Sequence, residues 1–194
     1  MKELFETIWN LALPYQDKRG DGGHAKITTK YAFKLLEFES SDEDIIIPAI
    51  MLHDIGWSQL NESDRMRIFD SNATKDEKLK VRCKHQEEGV KLAKVILKKV
   101  NYSQKLTEEI LEIISQHDTR EGFISNNEGL VRDADKLWRF SKIGFTAVLI
   151  RNKFSFQQLY DKLINRIELS NYFYSNKAKQ IAYDELEKRK NNFN

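Results

Sequence analysis

The apolar residues of this chain are spaced in a pattern that few folds can accommodate. Apolar side chains recur about every three to four residues along nearly the whole sequence, which is the period of a helix that buries one face. No segment alternates apolar and polar residues over the length of a strand. Only 2 prolines and 8 glycines are available to interrupt helices. We therefore predict an all-α helical bundle of about seven to nine helices.

The same periodicity gives approximate positions for the helices. Ser125 and Ser155, each followed three residues later by Glu or Gln, match the capping pattern that starts a helix. Residues 55–75 are mostly polar, so we expect a long loop there that could contain one short helical turn. The predicted helices cover about residues 2–16, 24–39, 43–54, 76–100, 104–117, 128–141, 155–169 and 176–190.

Length and charge restrict the organisation and the partners of the protein. A chain of 194 residues without a linker-like stretch suits a single domain covering residues 1–194. With 32 basic and 30 acidic residues the net charge is +2, which gives no strong signal for nucleic-acid binding. The longest apolar run, residues 45–52, contains Pro48 and is too short to span a membrane. Since there is one cysteine and no signal-peptide pattern, we expect a cytoplasmic protein with no membrane partner.

Four histidines are the strongest indication of function. His24, His53, His85 and His117 each lie at one end of an apolar helix face, so each is expected to point towards the core. A single histidine on such a face is more often an ordinary core residue. Four buried imidazoles, however, all need partners for their ring nitrogens. A shared metal ion would supply those partners most simply.

Two aspartates support a metal site. Asp54 directly follows His53, and Asp135 shares a helix face with Val131 and Trp138. A carboxylate on a half-buried helix needs a positive partner. A lysine or arginine could provide that charge through a salt bridge, but beside the histidines we favour a divalent metal ion.

The order of these residues resembles the signature of the HD-domain superfamily of metal-dependent phosphohydrolases. The apolar segment 48–56 carries His53-Asp54 near its end, as in that family, and residues 133–137 resemble its Ala-Asp-Lys/Arg-Leu segment. The resemblance covers about residues 20–145, and the helices of residues 155–190 are expected to pack on this core. It implies one metal ion, held by His24, His53, Asp54 and Asp135.

His85 and His117 extend the resemblance. The segment that begins at His85 resembles the family's His-x-x-x-Gly-Ala segment, and some relatives hold two metals with four histidines and two aspartates. Other relatives keep these histidines but hold one metal. The resemblance therefore implies one ion and leaves a second possible at His85 and His117, with Asp54 bridging. Imidazole and carboxylate ligands suit Mn²⁺, Fe²⁺, Co²⁺, Ni²⁺ or Zn²⁺.

The implied chemistry is hydrolysis of a small phosphorylated molecule, which could be a nucleotide, by a metal-activated water. A phosphate would be recognised by cations near the metal. The candidates for catalytic roles are Asp54, His85 and His117. The candidate phosphate contacts are Arg19, Lys84, Arg120, Lys136 and Arg139.

Two other functions stay open at this point. A di-iron oxygenase of the myo-inositol oxygenase-like type would use the same six ligands, and iron content and dioxygen consumption would distinguish it. A non-catalytic module, stabilised by a metal or sensing a ligand, would have a filled coordination sphere and would turn over no phosphoester. The helices after Ser155 could either pack on the core or form a dimer contact.

Overall fold

The computed structural model describes residues 1–191, and within that range it is built from helices, without a strand. The all-α prediction is therefore confirmed. None of the helices in this range combines the length and the apolar character needed to cross a membrane. The described residues form ten α-helices: α1 Glu3–Ala12, α2 His24–Leu36, α3 Glu43–Leu52, α4 Glu62–Arg67, α5 Lys75–Lys99, α6 Gln104–Gln116, α7 Asn126–Leu137, α8 Lys142–Asn152, α9 Phe156–Ile167 and α10 Asn176–Asn191.

Two of these helices lie outside the predicted set. Helix α4 is the short turn allowed for in residues 55–75. Helix α8 was missed because its apolar residues occur on all sides and only Gly144 and Phe145 are buried, so no amphipathic period marks it. It begins after Ser141, whose hydroxyl accepts a hydrogen bond from the N–H of Gly144. The two additions account for ten helices instead of the expected seven to nine.

Helix α3 lies at the centre of the core. Every residue from Ile45 to Leu52 is buried, and α1, α2, α6 and α7 surround the helix. Pro48 has no N–H to offer the carbonyl of Asp44, four residues earlier. The hydroxyl of Tyr102 donates to that carbonyl at 2.5 Å, so the acceptor is satisfied. Helix α3 can therefore run through the core and deliver the residues that follow it to the interior.

Gly56 allows the turn after α3 to pack tightly against α5. A Cβ atom added at Gly56 would lie 1.9 Å from the carbonyl oxygen of His85 and 2.4 Å from the amide nitrogen of Gly89. Only glycine permits such an approach. This contact holds His85 on α5 close to Asp54 at the end of α3.

Asp133 connects α7 to the start of α10. Its two carboxylate oxygens accept hydrogen bonds from the backbone N–H groups of Tyr174 and Ser175, each at 2.7 Å. Helix α10 packs on α7 and α9, and α8 packs on the short turn Trp138–Phe140 that follows α7. The C-terminal helices are thereby placed next to the end of α7 that carries Asp135.

Candidate metal centre and the cavity beside it

The predicted metal ligands lie at helix ends. His24 is the first residue of α2 and follows Gly23, whose positive φ of 78° closes the turn before the helix. His53 and Asp54 directly follow α3, and Asp135 lies in the last turn of α7. Three separate parts of the chain therefore meet at one buried point.

We refer to these four side chains as the first cluster: His24, His53, Asp54 and Asp135. Nε2 of His24 lies 3.1 Å from Nε2 of His53 and 3.2 Å from Oδ1 of Asp135. Oδ2 of Asp54 lies 3.3 Å from Nε2 of His24 and 3.5 Å from Nε2 of His53. Nε2 of His24, Nε2 of His53 and Oδ2 of Asp54 thus lie close enough together to share one ion. Oδ1 of Asp135 approaches the same two imidazoles, at 3.2 Å from His24 and 3.6 Å from His53.

Asp54 also belongs to a second cluster, which it forms with His85 and His117. Its other oxygen, Oδ1, lies 3.6 Å from Nε2 of His85 and 3.4 Å from Nε2 of His117. The two Nε2 atoms are 3.4 Å apart. The two oxygens of the Asp54 carboxylate therefore face two different pairs of histidines.

Both clusters have the spacing that one shared metal ion requires. Two ligand atoms bonded to an ion at about 2.1 Å lie about 3.0 Å apart in an octahedron and about 3.4 Å apart in a tetrahedron. The separations in the first and second clusters, 3.1–3.6 Å, agree with these values. The residues present therefore fit a divalent ion in each cluster.

The backbone orients two of the imidazoles for metal binding. Nδ1 of His53 lies 2.7 Å from the carbonyl oxygen of Ile50, and Nδ1 of His117 lies 2.8 Å from that of Ile114. A carbonyl oxygen can only accept, so Nδ1 carries the proton in both rings. In the neutral imidazole this leaves the lone pair on Nε2, the atom that faces each cluster.

Electrostatics keep the carboxylates charged. Burial by itself raises the pKa of Asp54, but Arg19 and His53 lower that pKa well below its usual range. Burial also raises the pKa of Asp135, and hydrogen bonds from His24 and His53 lower it well below its usual range. Burial lowers the pKa of His53, whereas the two carboxylates raise it to about 9. The site thus presents anionic oxygens, the form that binds a cation.

Trp57 and Arg19 hold Asp54 in place. The Trp57 ring stacks on His85 with the centroids 3.9 Å apart, and its Nε1 donates to Oδ1 of Asp54 at 3.0 Å. Arg19 lies over the same ring, with Cζ 4.6 Å from its centroid, and its Nη2 donates to Oδ2 of Asp54 at 2.5 Å. Each oxygen of Asp54 therefore has a fixed donor in addition to its histidines.

Comparison with known families decides the identity of this arrangement. The sequence matches the HD domain family over residues 22–139, a span that contains all six candidate ligands. The chain belongs to the HD domain family. Membership confirms the resemblance and places the protein in a superfamily of metal-dependent phosphohydrolases whose domains bind divalent metals. No curated protein and no solved structure matches the chain significantly.

A cavity of about 220 Å³ adjoins the candidate metal centre of this HD domain. Arg19, Asp21 and His24 belong to its wall and also border the space around the first cluster. Other parts of the wall come from α8 and α9, which lie beyond the family match. The two carboxylates among the lining residues are Asp21 and Asp118. The cations that line the cavity are Arg19, Arg82, Arg139, Arg151, Lys162 and Arg166.

The five predicted phosphate contacts fall into two groups. Arg19 and Arg139 line the cavity beside the candidate metal centre. Lys84, Arg120 and Lys136 are not among its lining residues, and each is engaged by another part of the protein. Their partners are Asp64 at 2.8 Å for Lys84, Glu128 at 3.1 Å and Glu112 for Arg120, and the carbonyl of Tyr172 for Lys136.

Four of the cavity cations were not singled out by sequence reasoning. Arg82 precedes His85 by three residues on α5, so both side chains lie on one side of the helix. This spacing in the sequence could have identified Arg82 as a residue near the site. Arg151, Lys162 and Arg166 carry no such signal because α8 and α9 contain none of the six candidate ligands. Only the packing of the C-terminal helices brings them to the cavity.

Proposed function

We propose that this HD-domain protein is a metal-dependent phosphohydrolase that acts on a small phosphorylated molecule. The observation that carries the proposal is a cation-lined cavity directly beside side chains suited to a transition-metal ion. Lysine and arginine recognise phosphate by charge, and arginine also offers paired N–H donors. A metal centre with an adjoining anion site is what hydrolysis of a phosphoester requires.

The ligand atoms indicate which ions the site would take. Imidazole nitrogens combined with carboxylates favour Mn²⁺, Fe²⁺, Co²⁺, Ni²⁺ or Zn²⁺ over Mg²⁺. His24, His53, Asp54 and Asp135 would hold the first ion. Because the second cluster has equally suitable spacing, we propose that a second ion binds His85, His117 and Oδ1 of Asp54.

A bound ion would supply an acidified water and a Lewis acid for the phosphoryl oxygen. Arg19 and Arg139 lie beside the metal ligands, since Nη2 of Arg19 is 2.5 Å from Oδ2 of Asp54 and Nη1 of Arg139 is 3.9 Å from Oδ2 of Asp135. Their guanidinium groups orient the phosphate and balance charge on its oxygens. In this role the two arginines act together with the metal centre.

Asp118 is a candidate for the group that accepts a proton. It lines the cavity, and its Oδ2 lies 3.8 Å from Nε2 of His85. Burial raises the pKa of Asp118, but His117 and His85 together lower it below its usual value. The carboxylate is therefore charged, and Oδ2 can take up a proton in the cavity.

A di-iron oxygenase is a second candidate that the position of Asp54 also allows. Asp54 presents one oxygen to each pair of histidines, which would suit two irons bridged by a carboxylate as well as two ions of a hydrolase. The cationic cavity favours a phosphate-bearing substrate for either reaction. Metal identity and dioxygen uptake separate the two.

Metal content and turnover test the proposal together. The protein is purified without chelators, and its metals are measured by elemental analysis for the wild type, His53→Ala and His85→Ala. We expect His53→Ala to lose the first ion and His85→Ala to lose the second. Phosphate release from a panel of sugar phosphates and nucleotides is then expected from the wild type and not from Asp135→Asn. Asp161→Asn, which alters an exposed carboxylate on α9, is the matched control.

The metal content and the reaction observed decide between the proposed functions. If the wild type holds no metal and none binds on titration with Mn²⁺, Fe²⁺, Ni²⁺ or Zn²⁺, the metal centre does not exist. Two irons per chain with dioxygen consumption would favour the oxygenase. A tightly bound metal without phosphate release or dioxygen uptake would identify a non-catalytic module.

A further inference from the structure

The wall of the cavity formed by α8, α9 and Arg82 carries more positive charge than the protein itself neutralises. Within residues 1–191, the side chains of Arg82, Arg151, Lys162 and Arg166 have no carboxylate oxygen within 4.0 Å. The two carboxylates in the lining are already engaged: Asp21 pairs with Arg19, and Asp118 lies against His85. Four cations therefore line one small space with no carboxylate of the described residues at ion-pair distance, and Asp21 and Asp118 act on Arg151 and Arg82 only from farther away.

Neighbouring groups hold these cations without neutralising them. Arg151 lies over the ring of Phe69, with Cζ 4.0 Å from the centroid, and Nζ of Lys162 lies 5.0 Å from the centroid of Phe154. Arg82 donates to the backbone carbonyl of Asp118 at 3.5 Å. Aromatic faces and carbonyls leave the formal charge in place. These contacts position the cations and leave them able to bind an anion.

The cations also repel one another. Burial lowers the pKa of Arg151, and the nearby guanidinium groups of Arg19 and Arg139 lower it further, while Asp21 raises it. Like charges brought together in this way are stabilised by a polyanion that bridges them. The arrangement is costly for the protein alone and favourable for a highly charged ligand.

The size of the cavity restricts the ligand. A volume of about 220 Å³ is below the ~300–1,000 Å³ of pockets that enclose drug-sized molecules. A compact polyanion fits such a space, whereas a complete nucleoside would have to extend out of it.

We propose that Arg82, Arg151, Lys162 and Arg166 form a second phosphate subsite, so that the substrate is a compact molecule carrying two phosphate groups. This inference rests on the proposed phosphohydrolase function, in which the phosphate to be cleaved lies at the metal centre beside Arg19 and Arg139. The second phosphate binds the wall from α8, α9 and α5 and is not cleaved there. Three of the four subsite residues thus come from α8 and α9, which lie outside the family match, and Arg82 comes from α5 within it.

Two pairs of probes test the subsite, each differing by one phosphate: fructose 1,6-bisphosphate against fructose 6-phosphate, and 2,3-bisphosphoglycerate against 3-phosphoglycerate. Calorimetry is done on the protein as purified with its metal, at constant ionic strength. We expect at least one bisphosphate to bind about tenfold more tightly than its monophosphate. In Arg166→Gln and Lys162→Gln we expect this preference to fall below about threefold.

Matched controls separate the subsite from general charge. Arg65→Gln and Lys94→Gln remove a cation outside the cavity and should keep the wild-type preference. Equal affinity for the bisphosphates and their monophosphates in the wild type would overturn the subsite, as would equal losses in the cavity variants and the controls.

Phosphate release measured with the same compounds distinguishes the two proposals. A preference for bisphosphates that depends on Arg166, without hydrolysis of any phosphoester, would support the subsite and contradict the phosphohydrolase function. Hydrolysis of monophosphates without a preference for bisphosphates would support the phosphohydrolase function and contradict the subsite.

Discussion

Nη2 of Arg19 lies 2.5 Å from Oδ2 of Asp54, the carboxylate that both histidine clusters share. The two residues are 35 positions apart in the chain. Asp21, at 3.1 Å, and the ring of Trp57, at 4.6 Å, hold the guanidinium in this position. Arg19 thereby contacts a metal-ligand carboxylate and lines the cationic cavity at the same time. A single side chain connects the candidate metal centre to the candidate phosphate site.

Replacing Arg19 with glutamine should reduce turnover while leaving metal content unchanged. The ligand atoms are untouched, but a charged donor beside the reacting phosphate is lost, which we expect to lower kcat/KM for a phosphoester by about 100-fold. Phosphate release and elemental analysis on the same preparation check this. Arg65→Gln is the control, and turnover in Arg19→Gln equal to that of the control would remove Arg19 from the site.

Replacing Trp57 with phenylalanine should affect the second cluster selectively. The ring that stacks on His85 is kept in part, but the hydrogen bond from Nε1 to Oδ1 of Asp54 is lost. We expect a loss of about 1 kcal/mol in the free energy of unfolding and weaker binding of the second ion than of the first. Urea unfolding and metal titration measure both. Trp9→Phe on α1 is the matched change, and the same effect there would argue against a specific role of Nε1.

Replacing Gly56 with alanine should be strongly destabilising. The new Cβ would lie 1.9 Å from the carbonyl oxygen of His85, so α5 or the turn must move, and we expect a loss of about 3 kcal/mol or more. Gly89→Ala is the control on the other side of the same contact. Its Cβ would meet Cγ2 of Ile114 at an ordinary 3.5 Å, and alanine in a helix is favoured over glycine by about 1 kcal/mol. Similar stabilities for the two variants, measured by urea unfolding, would contradict the packing described for Gly56.

Asp133 should make stability depend on pH in a defined window. Burial raises its pKa to about 6 against the opposing hydrogen bonds from Tyr174 and Ser175. The unfolded carboxyl, with a pKa of about 3.9, then binds fewer protons than the folded one. The free energy of unfolding should therefore fall by about 3 kcal/mol from this group as the pH rises from about 4 to about 6.

Asp133→Asn should not show this decrease. Urea unfolding of the wild type and the variant at several values between pH 4 and pH 7 gives the difference between their stabilities. That difference should change across the window, whereas Asp161→Asn should run parallel to the wild type. Parallel curves for Asp133→Asn and the wild type would show that Asp133 titrates normally.

Features that depend on a short stretch of residues were predicted correctly from the sequence. The helix that leads to His53 and Asp54 was predicted at residues 43–54 and is observed at Glu43–Leu52. It could be predicted because its apolar residues and its acidic N-terminal cap belong to the segment itself. Ser155 also caps α9 through both hydrogen bonds of a capping box. Ser125 caps α7, but the Glu128 carboxylate accepts its hydrogen bond from the N–H of Ile124 and not from the N–H of Ser125. A local pattern thus predicts an element more reliably than each of its contacts.

The positions of the lysine and arginine side chains, by contrast, could not be predicted from neighbouring residues. Lys84, Arg120 and Lys136 are close in sequence to predicted ligands, yet each is held by a partner elsewhere in the protein. Arg151 and Arg166 are far from the ligands in sequence, yet they line the cavity. A long, flexible cation takes whichever partner the packed structure offers, so proximity along the chain is a poor guide to its position.

The all-α class, the family and the six candidate ligands could all be predicted from the sequence, because helical periodicity and the chemistry of histidine and aspartate are properties of single residues and their spacing. Which oxygen of Asp54 faces which pair of histidines became clear only from the packed structure. The packed structure also established which cations surround the cavity, since α8 packs on the turn that follows α7 and α9 packs on α8 and α10. Contacts between distant segments depend on how whole helices pack, and that information is not contained in any one segment.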